Sequence, residues 1–343
     1  VKIALLLDRI DPQAGPDQLD TLVQAQEIGR VLSRLGHQAD LVTFDPGRPL
    51  VGRRLAAGRV GAIFNLVESV DGRGERIHLA PALLERLGLP FTGSGSEAVR
   101  STTDKLEAKS ILKNHGLPTP GWLSGRPGER GGPEAGRSYI LKSVWEHGSL
   151  GLDEESLIRP ESPDQVWEAI SARRTAFGGD WFAEAFIQGR EFNLSLLSIQ
   201  GRPVLLPPAE ILFTGLPPGQ LRIVGYRAKW VEDSVEYRQT PRRFTFGPED
   251  QPLLAELGRL ARACWDLFDL RGYARVDFRV DRKGRPWILE VNANPCLAAE
   301  AGFVAAAARA GMDQATVVER ILTEALVQDR PAAKALAASA GSG

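Results

Sequence analysis

The sequence predicts an α/β protein: an N-terminal domain with a parallel sheet, a central α+β part and a C-terminal part with a mixed sheet. Three observations carry this. Short continuous apolar runs, Lys2–Leu7 and 60–66, suit strands buried on both faces of a parallel sheet. Stretches of helical periodicity follow them. Near the C-terminus, 273–280 and 287–292 alternate around Asp281-Arg-Lys-Gly284, as two hairpin strands do. A chain of 343 residues is long enough for two or three cores.

The elements follow in order. After the first strand, Leu19, Leu22, Val23, Ile28, Val31, Leu32 and Leu35 recur near helical spacing, and Gly36 ends the helix. Residues 39–44 read as a second strand, completing a βαβ opening. Residues 60–66 are a third strand and 77–87 a helix stopped by Gly88 and Pro90, giving a first domain over 1–95. The central part, 96–188, holds a helix at 101–115 ending at Gly116. It continues with a Gly- and Pro-rich loop at 125–136, a strand at 139–144 and a helix at 165–172. Strand-like 181–187 and 191–199 are separated by Gln188-Gly-Arg190, a hairpin signal. In the last part, 189–328, residues 205–240 have little periodicity and are expected to include a long functional loop. Residues 252–268 form an amphipathic helix with Leu253, Leu257, Leu260, Cys264 and Leu267 on one face. The hairpin strands come next, then helices at 298–310 and 315–325, and an Ala/Gly/Ser-rich tail at 329–343 reads as frayed.

Composition narrows the function. The chain is 43% hydrophobic and 25% charged with a formal net charge of −1, which excludes disordered and collagen-like classes. That balance gives no global attraction to nucleic acid or anionic membrane. Cys264 and Cys296 cannot make a four-thiolate zinc site, and His37, His78, His115 and His147 lack metal-ligand spacing. No apolar run approaches the ~18 residues that span a bilayer, and the first apolar stretch is too short for a signal peptide. The expectation is a cytoplasmic protein with small-molecule partners. Only eight of the 42 basic residues are lysine. A position that keeps Lys in such a chain is a candidate for needing a compact ammonium on a flexible stem.

Nucleotide signatures are informative by absence. There is no Gly-Lys-Ser/Thr, and the first strand is not followed by G-x-G-x-x-G. Another device is available: Lys142 leaves a strand directly before Gly148-Ser149-Leu-Gly151, a loop able to turn backbone N–H groups onto phosphate. An ordinary turn has the same pattern. In 273–280, Arg275, Asp277 and Arg279 share one face, and Ala274, Val276, Phe278 and Val280 the other. On the return strand Ile288, Glu290 and Asn292 share a face. A two-residue turn at Arg282-Lys283 pairs Arg275 with Glu290 and sets Asp277 diagonally from it, and a different loop type shifts this register. Two carboxylates and an amide oxygen are hard ligands suited to Mg²⁺ shared with phosphates; a solvated Arg275–Glu290 pair is the alternative. Glu191 can accept from a ribose diol, and the backbone around Glu184 can bond an adenine edge. Lys229, in an irregular stretch, otherwise reads as surface charge.

Taken in order, these pieces resemble the ATP-grasp superfamily, and within it the D-alanine–D-alanine ligase family. The resemblance runs from about residue 64 to 325. It rests on Pro90-Phe-Thr-Gly-Ser-Gly95, Thr103-Asp-Lys105, Ile140-Leu-Lys142, Glu146-His-Gly-Ser-Leu-Gly151 and Glu184-Ala-Phe-Ile187. Gly189-Arg-Glu-Phe192, Ala228-Lys229, Arg275-Val-Asp277 and Leu289-Glu-Val-Asn292 complete the set.

It implies an ATP-grasp fold with ATP between the central and C-terminal subdomains. Lys105 and Lys142 are then expected on the phosphates, Glu184 and Ile187 around the adenine, and Glu191 on the ribose. Lys229 is expected to reach the γ-phosphate from a mobile loop. Asp277, Glu290 and Asn292 would hold Mg²⁺ or Mn²⁺, while Arg275 and the Ser149 loop stabilise an acyl-phosphate and the tetrahedral intermediate after it. The implied activity is ATP-dependent carboxylate–amine ligation of amino acids by a homodimer.

Three departures fall around the family's amino-acid pocket. Leu7-Asp-Arg-Ile-Asp-Pro12 stands where the family has Gly-Gly and then Ser-x-Glu; Trp230 replaces the usual Tyr; and Asn292-Ala-Asn-Pro-Cys296 replaces Asn-Thr-Ser-Pro-Gly. An altered substrate pocket is therefore expected, with Cys296 a packing residue. Two other readings stand beside this one: an authentic D-alanine–D-alanine ligase with a divergent N-terminus, and a nucleotide-binding protein without turnover. The metal trio and Lys229 argue against the latter.

Overall fold

A computed structural model describes residues 1–10, 15–47, 50–58, 60–124, 132–134, 136–146, 148–215, 221–231 and 234–328. The expected tail at 329–343, most of the expected loop at 125–136, and His147 lie outside these residues.

The N-terminal domain contains β1 (Lys2–Leu7), α1 (Pro16–Arg34), β2 (Gln38–Thr43), α2 (Leu50–Ala57), β3 (Ala62–Asn65) and α3 (Leu79–Leu87). Its three strands run parallel in the order β2-β1-β3. Alternation along β1 divides the core. Ile3 and Leu5 pack toward α1, against Ile28, Val31 and Leu32. Ala4 and Leu6 pack toward α2 and α3, against Val51, Leu55 and Leu84. Each fully buried Ile or Leu contributes about 1.5–3 kcal/mol, so a strand apolar on both faces can only sit between two helical layers. Helix α2 is short and carries little periodicity of its own; docking of Val51 and Leu55 holds it.

The helix expected over 101–115 is two: α4 (Ser96–Thr103) and α5 (Lys105–Asn114). Asp104 breaks it. Its backbone is extended, and its Oδ1 accepts from the N–H groups of Leu106 and Glu107 at 2.9 and 3.0 Å, an N-cap that starts a new helix. Lys105 and Lys109, one turn apart on α5, thereby face inward together.

The central sheet has β4 (Trp122–Leu123), β5 (Tyr139–Ser143), β6 (Leu157–Ile158) and, after α6 (Pro163–Phe177), β7 (Trp181–Ala185). The order is β4-β7-β5-β6. Val166 and Ile170 of α6 pack on Tyr139, Leu141, Trp181 and Ala183.

The remaining elements are β8 (Gly189–Ile199), β9 (Arg202–Leu205), β10 (Ala209–Ile211), α7 (Tyr226–Trp230), α8 (Val235–Arg238), β11 (Arg242–Arg243), α9 (Gln251–Leu267), β12 (Tyr273–Asp281), β13 (Pro286–Asn292), α10 (Gly302–Arg309) and α11 (Gln314–Gln328). The strands form a six-stranded sheet, β11-β10-β8-β12-β13 with β9 on β8. Its described pairs are all antiparallel, not mixed as expected: each strand runs opposite to the neighbour it pairs with. Helix α9 covers one face with Leu257, Leu260 and Cys264 against Phe192, Leu194, Val276 and Phe278. Residues 205–240 hold β10, α7 and α8, and the described residues 212–215 and 221–225 between β10 and α7 belong to no helix or strand.

Two sequence expectations change here. Gln188-Gly-Arg190 does not make a hairpin: β7 and β8 belong to different sheets. The chain crosses between sheets at 186–188, and Gly189 enters the new one so tightly that a Cβ there would lie 1.9 Å from the Val280 carbonyl oxygen. Secondly, the β12–β13 register pairs Arg275 with Asn292 and Asp277 with Glu290, not Arg275 with Glu290. Asp281 Oδ1 accepts from the N–H groups of Lys283 and Arg285 at 2.8 and 3.0 Å, which lengthens the turn. A bulge between Asp277 and Phe278 then shifts the pairing again. Ile288 consequently enters the core opposite Phe278 and leaves the face that carries Glu290 and Asn292.

Candidate active site

The face of the C-terminal sheet away from α9, the inner edge of the central sheet and the end of β1 surround one cavity of about 930 Å³. It takes in every residue singled out from sequence: Lys105, Lys142, Ser149, Glu184, Ile187, Glu191, Lys229, Arg275, Asp277, Glu290 and Asn292.

On the central wall, Lys142 of β5 places Nζ 2.6 Å from Glu184 Oε1 on β7. Lys109 Nζ lies 2.6 Å from the other oxygen, Oε2. Burial alone would raise the Glu184 carboxyl, but the two ammonium groups outweigh it and hold it below the usual range. Lys105 Nζ donates to the carbonyls of Glu146 (2.8 Å) and Val144 (3.4 Å), tying α5 to the start of the glycine loop. Burial lowers the proton affinity of Lys105 and Lys109. Lys109 carried no signal of its own in the sequence except its place among few lysines.

A lid closes one side. Ser149, in the left-handed region at φ 65°, donates from Oγ to the Val224 carbonyl at 2.9 Å. Trp230 Nε1 donates to the Gly148 carbonyl at 2.8 Å, and Tyr226 N–H to the Leu152 carbonyl at 3.2 Å. Helix α7, so held, carries Lys229 over the cavity. Among the described residues Lys229 has no ion-pair partner, and burial together with Arg275 lowers its proton affinity.

On the C-terminal wall, Arg275 Nε and Nη2 lie 2.7 and 2.8 Å from the two oxygens of Asp277. Asn193 Nδ2 donates to the same carboxylate at 2.7 Å. Asn292 Oδ1 accepts from the Asn294 N–H at 2.9 Å. Asp277, Glu290 and Asn292 are the donor set expected for a metal. Two carboxylates facing across a strand pair, plus an amide oxygen, fit Mg²⁺: all are hard oxygens, and they are too few to enclose an ion, which leaves positions for phosphate oxygens and water.

Arg279 lies at the Glu191 end of the cavity, and sequence reasoning assigned it no role. The residue is 3% exposed, and its Nε lies 3.1 Å from Glu191 Oε2. It donates to the carbonyls of Gly189 and Arg222 and stands 5.5 Å from the rings of Phe186 and Phe213. Burial raises the Glu191 carboxyl and Arg279 opposes that rise. Alternation along β12 had put Arg279 on this face.

The far lobe belongs to the N-terminal domain. Asp8 accepts from the N–H groups of Glu68 and Ser69, both at 2.9 Å, and from Ser69 Oγ at 2.7 Å. Leu19 and Val23, one turn apart on α1, are 36% and 49% exposed and line this lobe with Phe244. Cys296 Sγ donates to Asp20 Oδ2 at 3.4 Å; burial and the acids Glu68 and Asp20 push its thiol well up, so it is no ready nucleophile.

The family described as D-ala D-ala ligase C-terminus matches residues 141–323, more than half of the chain. A D-alanine–D-alanine ligase from Bordetella pertussis is 30% identical over 319 residues, covering 92% of this chain and 93% of that one. The chain belongs to the D-alanine–D-alanine ligase-like family of ATP-grasp ligases. Protein y4sG of Sinorhizobium fredii is 29% identical over 303 residues, 87% of this chain and 86% of its own. The fold agrees: the crystal structure of D-alanine–D-alanine ligase from Bacillus anthracis complexed with ATP superposes with a TM-score of 0.71 at 19% identity, over 96% of this chain and 99% of that one. Among the described residues no helix is long and apolar enough to cross a membrane.

Proposed function

We propose that this ATP-grasp ligase joins amino acids, or similar acids and amines, through an acyl-phosphate formed with ATP and Mg²⁺, in a pocket altered from that for D-alanine. The observation that carries the reading is Lys229: an ammonium with no ion-pair partner among the described residues, held by a closed lid over the same cavity that carries Arg275 and the Asp277–Glu290–Asn292 wall.

In this reading the backbone between Glu184 and Ile187 meets the base edge, and Glu191, set by Arg279, takes the ribose hydroxyls. Lys105, Lys142 and the glycine loop receive the phosphates. Mg²⁺ at Asp277, Glu290 and Asn292 would neutralise phosphate charge and polarise the transferred group. A carboxylate is a poor electrophile; attack on the γ-phosphorus, with Lys229 stabilising the charge on the equatorial oxygens, converts it to a mixed anhydride. Arg275, locked by Asp277 beneath that site, stabilises the oxyanion when the amine attacks. The lid excludes water from the anhydride meanwhile.

Substrate choice falls to the far lobe. Asp8 is committed to the 68–69 backbone, Asp20 holds Cys296, and Leu19, Val23 and Phe244 make an apolar wall. This favours a larger apolar amino acid over alanine on at least one side. ADP release across D- and L-amino acids, singly and in pairs, tests both points. Activity confined to D-alanine would restore the authentic ligase reading, and tight ATP binding with no ADP from any pair the turnover-free one. The subdomain limits at 95 and 188, a homodimer and a cytoplasmic site of action belong to the same proposal. Light scattering tests the dimer.

A further inference from the structure

Lys109 does not reach the cavity, yet it is the most buried ammonium described, 1% exposed. Its Nζ lies 2.6 Å from Glu184 Oε2, while Lys142 Nζ lies 2.6 Å from Oε1. Glu184, 2% exposed, and Lys142, 19% exposed, both line the cavity, and Lys142 is the more open of the two. Lys109 is fixed further by donating to Thr119 Oγ1 at 2.9 Å, and that hydroxyl donates to the Ile288 carbonyl on β13 at 2.9 Å. Two cations thus share one buried anion. Burying a third charge beside a pair that is already neutral is expensive, and an apolar side chain at 109 would fill the same space without that cost.

We propose that Lys109 is a positioning residue for nucleotide binding: by sharing Glu184 with Lys142 it keeps the cluster at net positive charge, so that Lys142 presents an unneutralised ammonium to phosphate. Without Lys109, Glu184 would cancel Lys142, and an anionic ligand would meet a dipole in place of a charge. In a site partly removed from water that difference is large. The inference rests on the reading that Lys142 faces the phosphates of ATP.

The test is equilibrium binding of a non-hydrolysable ATP analogue with Mg²⁺ to the whole protein and to Lys109→Met, Glu184→Gln, the double variant and Lys142→Met. Formal charge in the cluster is unchanged in the double variant, falls to zero in Lys109→Met and rises in Glu184→Gln. Affinity should follow charge. Lys109→Met should weaken binding roughly tenfold or more, as loss of a partner that orients a binding group does, and the double variant should return to within a few-fold of the parent. A merely structural Lys109 predicts the reverse, with the double variant the weakest. Unchanged affinity in Lys109→Met, or a double variant no better than Lys109→Met, overturns the proposal. If Lys109→Met does not fold, the charge-balanced double variant decides alone: near-parental affinity supports it and tenfold weaker binding refutes it. Unchanged affinity in Lys142→Met would instead overturn the phosphate role of Lys142, a separate result.

Discussion

Replacing Trp230 with Phe isolates one hydrogen bond of the lid. Three bonds join the glycine loop to the segment that carries Lys229: Ser149 Oγ to Val224, Trp230 Nε1 to Gly148, and Tyr226 N–H to Leu152, at 2.9, 2.8 and 3.2 Å. Phe keeps an aromatic ring at this position but has no donor. The Gly148 carbonyl is half-buried, so water reaches it once the lid opens, and the net loss is about 1 kcal/mol. That raises the open-to-closed ratio about fivefold at 25 °C. Because the lid shields the acyl-phosphate in the proposed mechanism, the readout is coupling: ADP released per amide formed, with both substrates saturating. Trp230→Phe should raise uncoupled ADP release about fivefold and leave the melting temperature unchanged, since the bond closes a lid and not a core. Ser149→Ala should do the same through the Val224 bond. An unchanged ratio in both variants would refute the claim that these bonds set lid closure.

Three further outcomes are expected. Lys229→Ala should lower kcat about 100-fold or more while changing ATP-analogue affinity only a few-fold, because its charge acts on the transferring group; equal losses in kcat and affinity would undo that role. Gly189→Ala should destabilise the fold by about 3 kcal/mol or more in urea unfolding, since its Cβ would stand 1.9 Å from the Val280 carbonyl oxygen and only backbone movement relieves that. Cys264, its thiol pushed up to about 12 by burial, should resist alkylation in the folded protein at pH 8, where about one molecule in ten thousand carries thiolate, and react faster as pH rises. Rapid labelling of Cys264 in native protein at pH 8 would contradict that.

Local signals were reliable where one interaction decided the outcome. The apolar run at 2–7 became β1 at those same residues, and the alternation in 273–280 put Val276 and Phe278 in the core and Arg275, Asp277 and Arg279 on the cavity side. Local signals failed where a partner distant in sequence decided. Asp104 is a different case, a local signal that was missed: its side chain caps the N–H groups two and three residues on and turns one periodic segment into two helices. Gln188-Gly-Arg190 looked like a hairpin because turn chemistry is the same whether the next strand returns to its own sheet or joins another. The β12–β13 register depended on the Asp281 turn and on the bulge beside Phe278, which no spacing rule encodes.

The sequence by itself determined the family, the ATP-grasp fold and the set of polar residues that line the cavity. Those properties follow from residue type and order, which covalent chemistry fixes. Tertiary structure alone decided which charges meet. It placed Lys109 and Lys142 on the two oxygens of Glu184, Arg279 on Glu191, and Trp230 on Gly148 across 82 residues of chain. Electrostatic and hydrogen-bond energies depend on distance and on exclusion of water, and both are set only when the three sheets close around one cavity.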